Sequence, residues 1–459
     1  MKGKSATQQK LTQHFGDRPL EQVVTAARTF PLASRVDVQV AIDELFASRE
    51  KPALLGIHSP FGHETTTLAH LFARGPYPVE FGPLQHDDVD IGDPSLPRRC
   101  LNNGLWLSKD QEFPFALLLS AAMEYGRVVG VHLELAVPQG ERGLEFSQIF
   151  FRDLESRVNA GRTYRGRVIS LESHREYSGR GGAVKVHRLR AVRREEVILP
   201  EKTLSLLDRN VGSFIHARAH IKRLGFSAKK GLLFYGSPGT GKTHTIHYLA
   251  SQLPEHTTLL ITAEQVGLLD EYFRLARFLQ PSMVVVEDVD LIARVRERMG
   301  SPCEEVLLNK LLNEMDGLRE DADVIFVLTT NRPDQIEPAL TARPGRIDQA
   351  IEFPLPDEQG RSKLINLYSR GLELSGALLE LTVRRTKGAS PAFIKELMRR
   401  AAQFQFEMRS DGKLQEAALD GALEEMVFSG GTLNLKLLGG SSTELGFTCE
   451  TPLRSSKSQ

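Results

Sequence analysis

The chain has 459 residues, enough for two or three domains with a large buried core. Hydrophobic residues make up 41% and charged residues 25%, and 58 Lys+Arg balance 58 Asp+Glu, so overall charge points to neither nucleic acid nor membrane. The three cysteines (Cys100, Cys303, Cys449) are far apart and odd in number, which excludes a disulfide framework or a cysteine zinc site and matches reduced thiols.

In chain order, residues 1–18 are polar, lack the apolar core of a secretory signal and read as a flexible N-terminus. Helical patterns follow at Leu20–Thr29 and Asp37–Ser48, then a strand at Ala53–Ile57 and a helix at Glu64–Ala73. Gly75–Arg99 is rich in Pro, Gly and Asp and reads as loop. The longest apolar run, Phe113–Met123, is about half the roughly 20 residues a membrane span needs. The sequence therefore reads as a soluble, cytoplasmic protein with no membrane span. Val131, Leu133, Leu135 and Val137 alternate as in a half-buried strand, and an amphipathic helix is expected over Leu144–Val158. Strand-like runs Tyr164–Glu172 and Ala183–Val192 flank Ser178–Gly182, the pattern of a hairpin.

Two features of this N-terminal half bear on function. Leu54–Leu68 can be laid on Leu232–Ile246 so that Thr65 meets Thr243, but Glu64 then falls where Lys242 stands. A decayed phosphate loop is one reading, and an unrelated strand–turn–helix is the favoured one. Phe151–Pro200 carries twelve Lys/Arg against six Asp/Glu, a surface that could meet nucleic acid, although solvated faces of a helix and hairpin account for it equally well. The histidines His58, His63, His70 and His86 lack metal-ligand spacing.

The chemistry is concentrated further on. Gly236-Ser237-Pro238-Gly239-Thr240-Gly241-Lys242-Thr243 fits G-x-x-x-x-G-K-[ST] at every fixed position, after the apolar run Leu232–Tyr235 and before a helical segment. Glycines let backbone N–H groups turn inward around phosphates, and a helix N-terminus adds a favourable dipole. These eight residues and the next, His244, are the expected nucleotide contacts, with Lys242 on the β- and γ-phosphates and the Thr243 hydroxyl on Mg²⁺. A second apolar run, Met283–Val286, ends in Glu287-Asp288-Val289-Asp290. By position Glu287 takes the metal role and Asp288 activates the attacking water. A third run, Val324–Leu328, leads to Asn331, whose amide can both donate to and accept from phosphate or water. In Ala342-Arg343-Pro344-Gly345-Arg346, either arginine could enter a neighbouring subunit's site as an arginine finger.

Together with Leu312–Gly317 and Gly388-Ala389-Ser390, these residues resemble the AAA family of P-loop ATPases over roughly residues 200–428. The resemblance implies a P-loop NTPase α/β fold with a parallel sheet (residues 196–356) and a helical lid subdomain (357–428). An α+β N-terminal module (19–195) would precede them, and a flexible tail (429–459) follow. It also implies ATP and Mg²⁺ as cofactors, a homo-oligomeric ring, expected to be a hexamer, and a protein substrate to be remodelled or chaperoned. The Glu287-Asp288 order and the lead-in Val197–Pro200 through Asn210–Ile215 are similar to the branch of the mitochondrial Rieske-protein translocase. By that likeness Asn210-Val211-Gly212 borders the adenine, and Val211 joins the nucleotide contacts. The membrane-spanning N-terminus of that branch has no counterpart here. A nucleic-acid motor and an ATP-binding scaffold with weak hydrolysis are the competing functions. No aromatic-apolar-Gly pore loop stands between Ile261 and Pro281; Val266-Gly267-Leu268 is nearest to one.

Overall fold

The computed structural model describes all residues except 1–4, 17, 48, 50, 61, 74–77, 90, 93–96, 173–182, 291–310, 312, 316, 318–321, 335–345, 409–411 and 427–459. The Ser178–Gly182 turn, Arg343 and the 429–459 tail thus lie outside the described residues. The chain divides into two compact units, Met1–Arg188 with Pro254–Met283, and Leu189–Leu253 with Val284–Gln459. Pro254–Met283, which the sequence suggests is part of the nucleotide-binding subdomain, groups with the N-terminal unit instead.

In the first unit, β1 (Val23–Pro31), β2 (Ala53–His58), β3 (Glu80–Gly82), β4 (Gln85–Val89), β5 (Arg98–Asp110), β6 (Phe113–Glu124) and β7 (Arg127–Pro138) form a sheet. Its order is β1-β7-β6-β5-β2-β3, with β4 on β5, and its pairings are antiparallel. The period of two sends alternate side chains to opposite faces. Phe113, Phe115, Leu117 and Leu119 of β6 join one core with helices Arg35–Ala47 and Glu141–Ala160. Ala116 and Leu118 join another with Leu11 of helix Ala6–His14 and with Leu68 and Leu71 of helix Leu68–Phe72. The module is therefore α+β, with helices on both faces of one sheet.

Several expectations need correcting here, the first being that residues 1–18, read as flexible, hold the capped helix Ala6–His14 with Leu11 fully buried. Leu20–Thr29 is mostly strand, because Val23–Pro31 pairs residue by residue with Pro138–Gly130 and that ladder overrides a weak helical pattern. Gly75–Arg99 contains β3 and β4 rather than loop alone, and the helix read at Glu64–Ala73 is confined to Leu68–Phe72. The apolar run Phe113–Met123 is the central strand β6. Its hairpins turn at Gln111-Glu112 (φ 48 and 63°) and Tyr125-Gly126 (φ 50 and 75°). Two successive positive φ values suit the right-handed twist of the strands, but Gln-Glu is not a turn signal that sequence reading recognises.

Seven further strands follow among the described residues: β8 (Val168–Glu172), β9 (Ala183–His187), β10 (Lys230–Tyr235), β11 (Thr257–Ile261), β12 (Ser282–Val286), β13 (Val324–Thr330) and β14 (Gln349–Glu352). In the first unit β8 pairs antiparallel with β9, the expected hairpin strands, and parallel with β11. In the second, β10 lies parallel between β13 and β14, with β12 beyond β13. That parallel sheet, buried at Gly231–Phe234 and along β13, is an α/β P-loop arrangement. By contrast β2 is antiparallel to both β3 and β5, so the likeness of Leu54–Leu68 to the phosphate loop stays at the level of sequence. Helices Glu358–Tyr368, Gly376–Arg385, Pro391–Met408 and Glu416–Glu424 close around their own core, which includes Leu364, Phe393, Leu397 and Leu419.

Candidate functional site

The site stands at the carboxyl ends of the parallel strands of the second unit, where open α/β sheets place ligands. β10 ends at Tyr235, and the loop Gly236–Gly241 leads into helix Lys242–Gln252. Gly236 has φ 149°, and a Cβ there would collide with the Phe353 carbonyl oxygen. Gly239 has φ 76° and lies so near the lid that a Cβ would stand 2.9 Å from the Ala392 Cβ. Only glycine fits both the backbone angle and the space. The loop is braced by the Thr240 hydroxyl, which donates to the Ser237 carbonyl at 2.9 Å.

Lys242 is 6% exposed. Its ammonium donates to the Gly236 and Ser237 carbonyls at 2.8 and 3.0 Å and to Asn331 Oδ1 at 2.8 Å. Asn331 Nδ2 donates in turn to Asp288 Oδ1 at 2.9 Å, so one carboxamide joins the loop lysine to the acidic strand end. Thr243 donates to Glu287 Oε1 at 2.8 Å. Asp288 sits at φ 48°, a conformation that non-glycine residues rarely adopt, and its N–H donates to Thr329 Oγ1 at 2.9 Å. Burial lowers the Lys242 pKa from 10.5 to about 8, with Asp288 and Asp290 opposing the shift. Burial also raises the Asp288 carboxyl, aided by Asp290 and Glu287 and opposed by Lys242 and Asn331.

Pro238–Thr245, Asp288 and Asn331 line a cleft of about 410 Å³. Its other walls are Glu196–Leu199 of the lead-in segment and Leu364, Tyr368 and Lys395 of the lid. His244 lines it too, and its Nε2 donates to the Glu196 carbonyl at 3.1 Å. The lid helix starts against the loop: Ala392 N–H donates to the Gly239 carbonyl at 3.2 Å. Ser390 caps that helix by accepting from Phe393 N–H at 3.2 Å, and Pro391 takes the first helical position, where its missing N–H costs nothing.

The structure thus brings together Gly236–His244, Glu287, Asp288 and Asn331. Two other expected residues lie elsewhere: Val211, read as bordering the base, is not in the cleft lining, and Arg346 is expected to act on a neighbouring subunit's site rather than its own. Val211 is 2% exposed within the turn Arg209–Ser213, and Asn210 donates to its own helix at the Leu206 carbonyl. The lead-in meets the cleft through Val197–Leu199 instead, because Val211 packs into the interior. Arg346 lies at the start of β10, the strand end away from the phosphate loop. There Asp348 accepts from Gly231 N–H at 2.6 Å and Arg346 donates to Asn313 Oδ1 at 3.4 Å. Tyr368 and Lys395 carried no sequence signal. Asp290 and Thr329 lay beside predicted residues, but their roles depend on contacts across about 40 residues of chain.

The donor set fits a nucleotide with a hard cation. Three acceptors converge on one buried ammonium, and a hydroxyl and a carboxylate meet at 2.8 Å, oxygen ligands of the kind Mg²⁺ takes when phosphates complete its shell. No cluster of three or more His, Cys, Asp or Glu suited to a metal occurs among the described residues.

Comparison with known proteins agrees with this chemistry. Residues 232–355 match the family model "ATPase family associated with various cellular activities (AAA)". Similar proteins include 26S proteasome regulatory subunit S10B homolog B of Arabidopsis thaliana, 32% identical over 206 residues, covering 42% of this chain and 51% of that protein. The proteasome-activating nucleotidase of Pyrococcus furiosus is 34% identical over 206 residues, 42% of this chain and 52% of its own. The cell division cycle protein 48 homolog of Archaeoglobus fulgidus is 36% identical over 190 residues, 39% of this chain and 26% of its own. The chain thus spans about half the length of the first two relatives and a quarter of the third. The residues that match this family model include the phosphate loop and both the acidic and the amide strand ends.

Proposed function

We propose that the chain hydrolyses Mg²⁺-ATP and uses the turnover to remodel or chaperone a protein substrate. The observation that carries this reading is the linked set Lys242–Asn331–Asp288, closed by bonds of 2.8 and 2.9 Å at the mouth of the phosphate loop. Lys242 holds the β- and γ-phosphates, Asn331 orients the attacking water, and Asp288 takes its proton. Thr243 and Glu287 hold Mg²⁺, which when bound neutralises charge on the phosphate oxygens. Val197–Leu199 and Tyr368 form the wall beyond the phosphates, where the base would lie.

A protein substrate fits better than nucleic acid, because much of the basic charge of residues 151–200 is paired with carboxylates or carbonyls of the same chain. Arg157 pairs with Asp153 and Glu44, Arg190 and Arg193 with Glu196, and Arg194 with Asp208. Arg165 donates to the Phe278 and Gln280 carbonyls, and Arg188 to Gly92. Such paired arginines release few counterions on binding a phosphate backbone. The Glu287-Asp288 order and the lead-in Val197–Pro200 are the sequence features on which we read a likeness to the Rieske-translocase branch. No helix among the described residues is long and apolar enough to cross a membrane.

Arg346 stands at the strand end away from its own phosphate loop, so as a finger it would serve a second copy in a ring. ATPase rate per protomer, measured against protein concentration with Mg²⁺ present, is expected to climb and then saturate. A rate that stays flat while particle mass rises would remove the finger role, and no turnover at any concentration would leave the nucleotide-binding scaffold.

The pH dependence follows from the two shifted groups. Lys242 is lowered to about 8, so the free enzyme loses its phosphate-binding charge near that pH. We expect kcat/KM to fall on the alkaline side near pH 8, while kcat, measured with phosphate already on the ammonium, holds to higher pH. Asp288 is raised above 3.8, so the acid limb of kcat should lie above the ordinary aspartate range. A kcat/KM profile flat to about pH 9.5 would contradict the assignment of Lys242.

A further inference from the structure

We propose that Asp290 is a positioning residue for turnover: its buried carboxylate fixes Asn331 between Lys242 and Asp288. This rests on the ATPase reading above.

Asp290 is 3% exposed and lies outside the cleft lining. Its Oδ1 accepts from the Thr330 hydroxyl at 2.8 Å and from the Asn331 backbone N–H at 3.1 Å. Both donors lie on the other strand end, 40 and 41 residues further along the chain. Asp288, two residues earlier, is held by the same strand end in the complementary sense, its N–H on Thr329 and its carboxylate on Asn331 Nδ2. Four hydrogen bonds thus lock the turn at 288–290 to Thr329-Thr330-Asn331. Without the Asp290 carboxylate, the Asn331 backbone loses its tether and its carboxamide can leave the line between Lys242 and Asp288.

The physical consequence is selective. A displacement of ~1 Å at a group that orients a reacting water costs up to about a hundredfold in rate, whereas the Lys242 and loop-glycine contacts that set affinity stay in place. Asp290 is the weaker of the two carboxylates that favour the Lys242 charge. Burying a second carboxylate near Asp288 is unfavourable on its own account. Its retention in this place is understandable if the two N–H and O–H donors it satisfies must be fixed.

Asp290→Ala is expected to lower kcat by at least about tenfold and to change nucleotide Kd by less than about twofold. Asp290→Asn keeps an oxygen acceptor and should recover most of that loss. The double variant Asp290→Ala/Asn331→Ala should turn over no more slowly than Asn331→Ala alone, because both changes act through one side chain. Losses that multiply, or a Kd that falls away with kcat, overturn the proposal. If Asp290→Ala does not fold by circular dichroism, Asp290→Glu replaces it: charge is retained but the carboxylate is displaced, and the same kcat loss is expected. Amide hydrogen exchange of the segment 324–334 reads the tether without any turnover. Exchange at Asn331 should quicken in the variant, and unchanged exchange overturns the proposal. A wild-type chain that hydrolyses no ATP would sink the ATPase reading, and exchange alone would then decide whether the tether exists.

Discussion

Asp288→Asn is expected to bind ATP as tightly as the wild type and to lose at least about a hundredfold in kcat. Several features of the site make this substitution a clean test. Asp288 occupies φ 48°, and Asn is among the few residues that tolerate the left-handed region, so the backbone should not move. The bond from Asp288 N–H to Thr329 is a backbone contact and survives the change. The carboxamide oxygen of the variant can still accept from Asn331 Nδ2, which keeps Asn331 on Lys242. What the variant lacks is a carboxylate able to take a proton from water, and that carboxylate is one whose basicity burial and its neighbours Asp290 and Glu287 raise. Nucleotide affinity by fluorescence titration and turnover by phosphate release separate the two effects. Turnover near the wild-type rate would end the assignment of Asp288 as the base.

Lys242→Ala should abolish ATP binding, with Kd rising by at least about a hundredfold, without destabilising the fold. The loss of affinity follows from removing the buried cation at the phosphate loop, where no other lysine lies among Gly236–His244. The stability expectation comes from the sign of the pKa shift. A lysine whose pKa falls from 10.5 to about 8 on folding binds fewer protons in the folded state across that interval. Its charged form therefore opposes folding below about pH 8, and that opposition fades as pH rises toward 10.5. Removing it relieves the burial penalty but leaves the Gly236 and Ser237 carbonyls and Asn331 Oδ1 without their donor. The two effects oppose, so Tm should shift little while binding disappears. A large fall in Tm would mean that the ammonium is mainly a structural pin, and the loss of binding would then say nothing about phosphate.

The phosphate loop, both strand ends and their order were legible in the sequence because each rests on local rules. Glycines at Gly236, Gly239 and Gly241 meet backbone demands that no other residue meets, and four-residue apolar runs before Gly236 and Glu287 can be little else than buried strands. The lid helices were legible through their periodicity and through the resemblance carried by Gly388-Ala389-Ser390, and the structure adds Ser390 as the cap. The N-terminal sheet was less so. β1 carries a pattern that both helix and strand tolerate, and only its pairing with β7 decides between them. The Gln111-Glu112 hairpin turn is set by the strands it joins rather than by its own residues.

Within the site, the sequence determined which groups are present and the tertiary structure decided what each one faces. That Lys242 meets Asn331, that Asn331 meets Asp288 and that Asp290 holds Asn331 are contacts made across 89, 43 and 41 residues. No local rule sees that distance, because the pairing is set by the register of parallel strands and by which strand ends come level with the loop. Val211, adjacent in reading to the base site, is buried in the helical turn Arg209–Ser213. Arg346 likewise lies at the far end of β10, anchored beside Gly231 by the parallel register of β14.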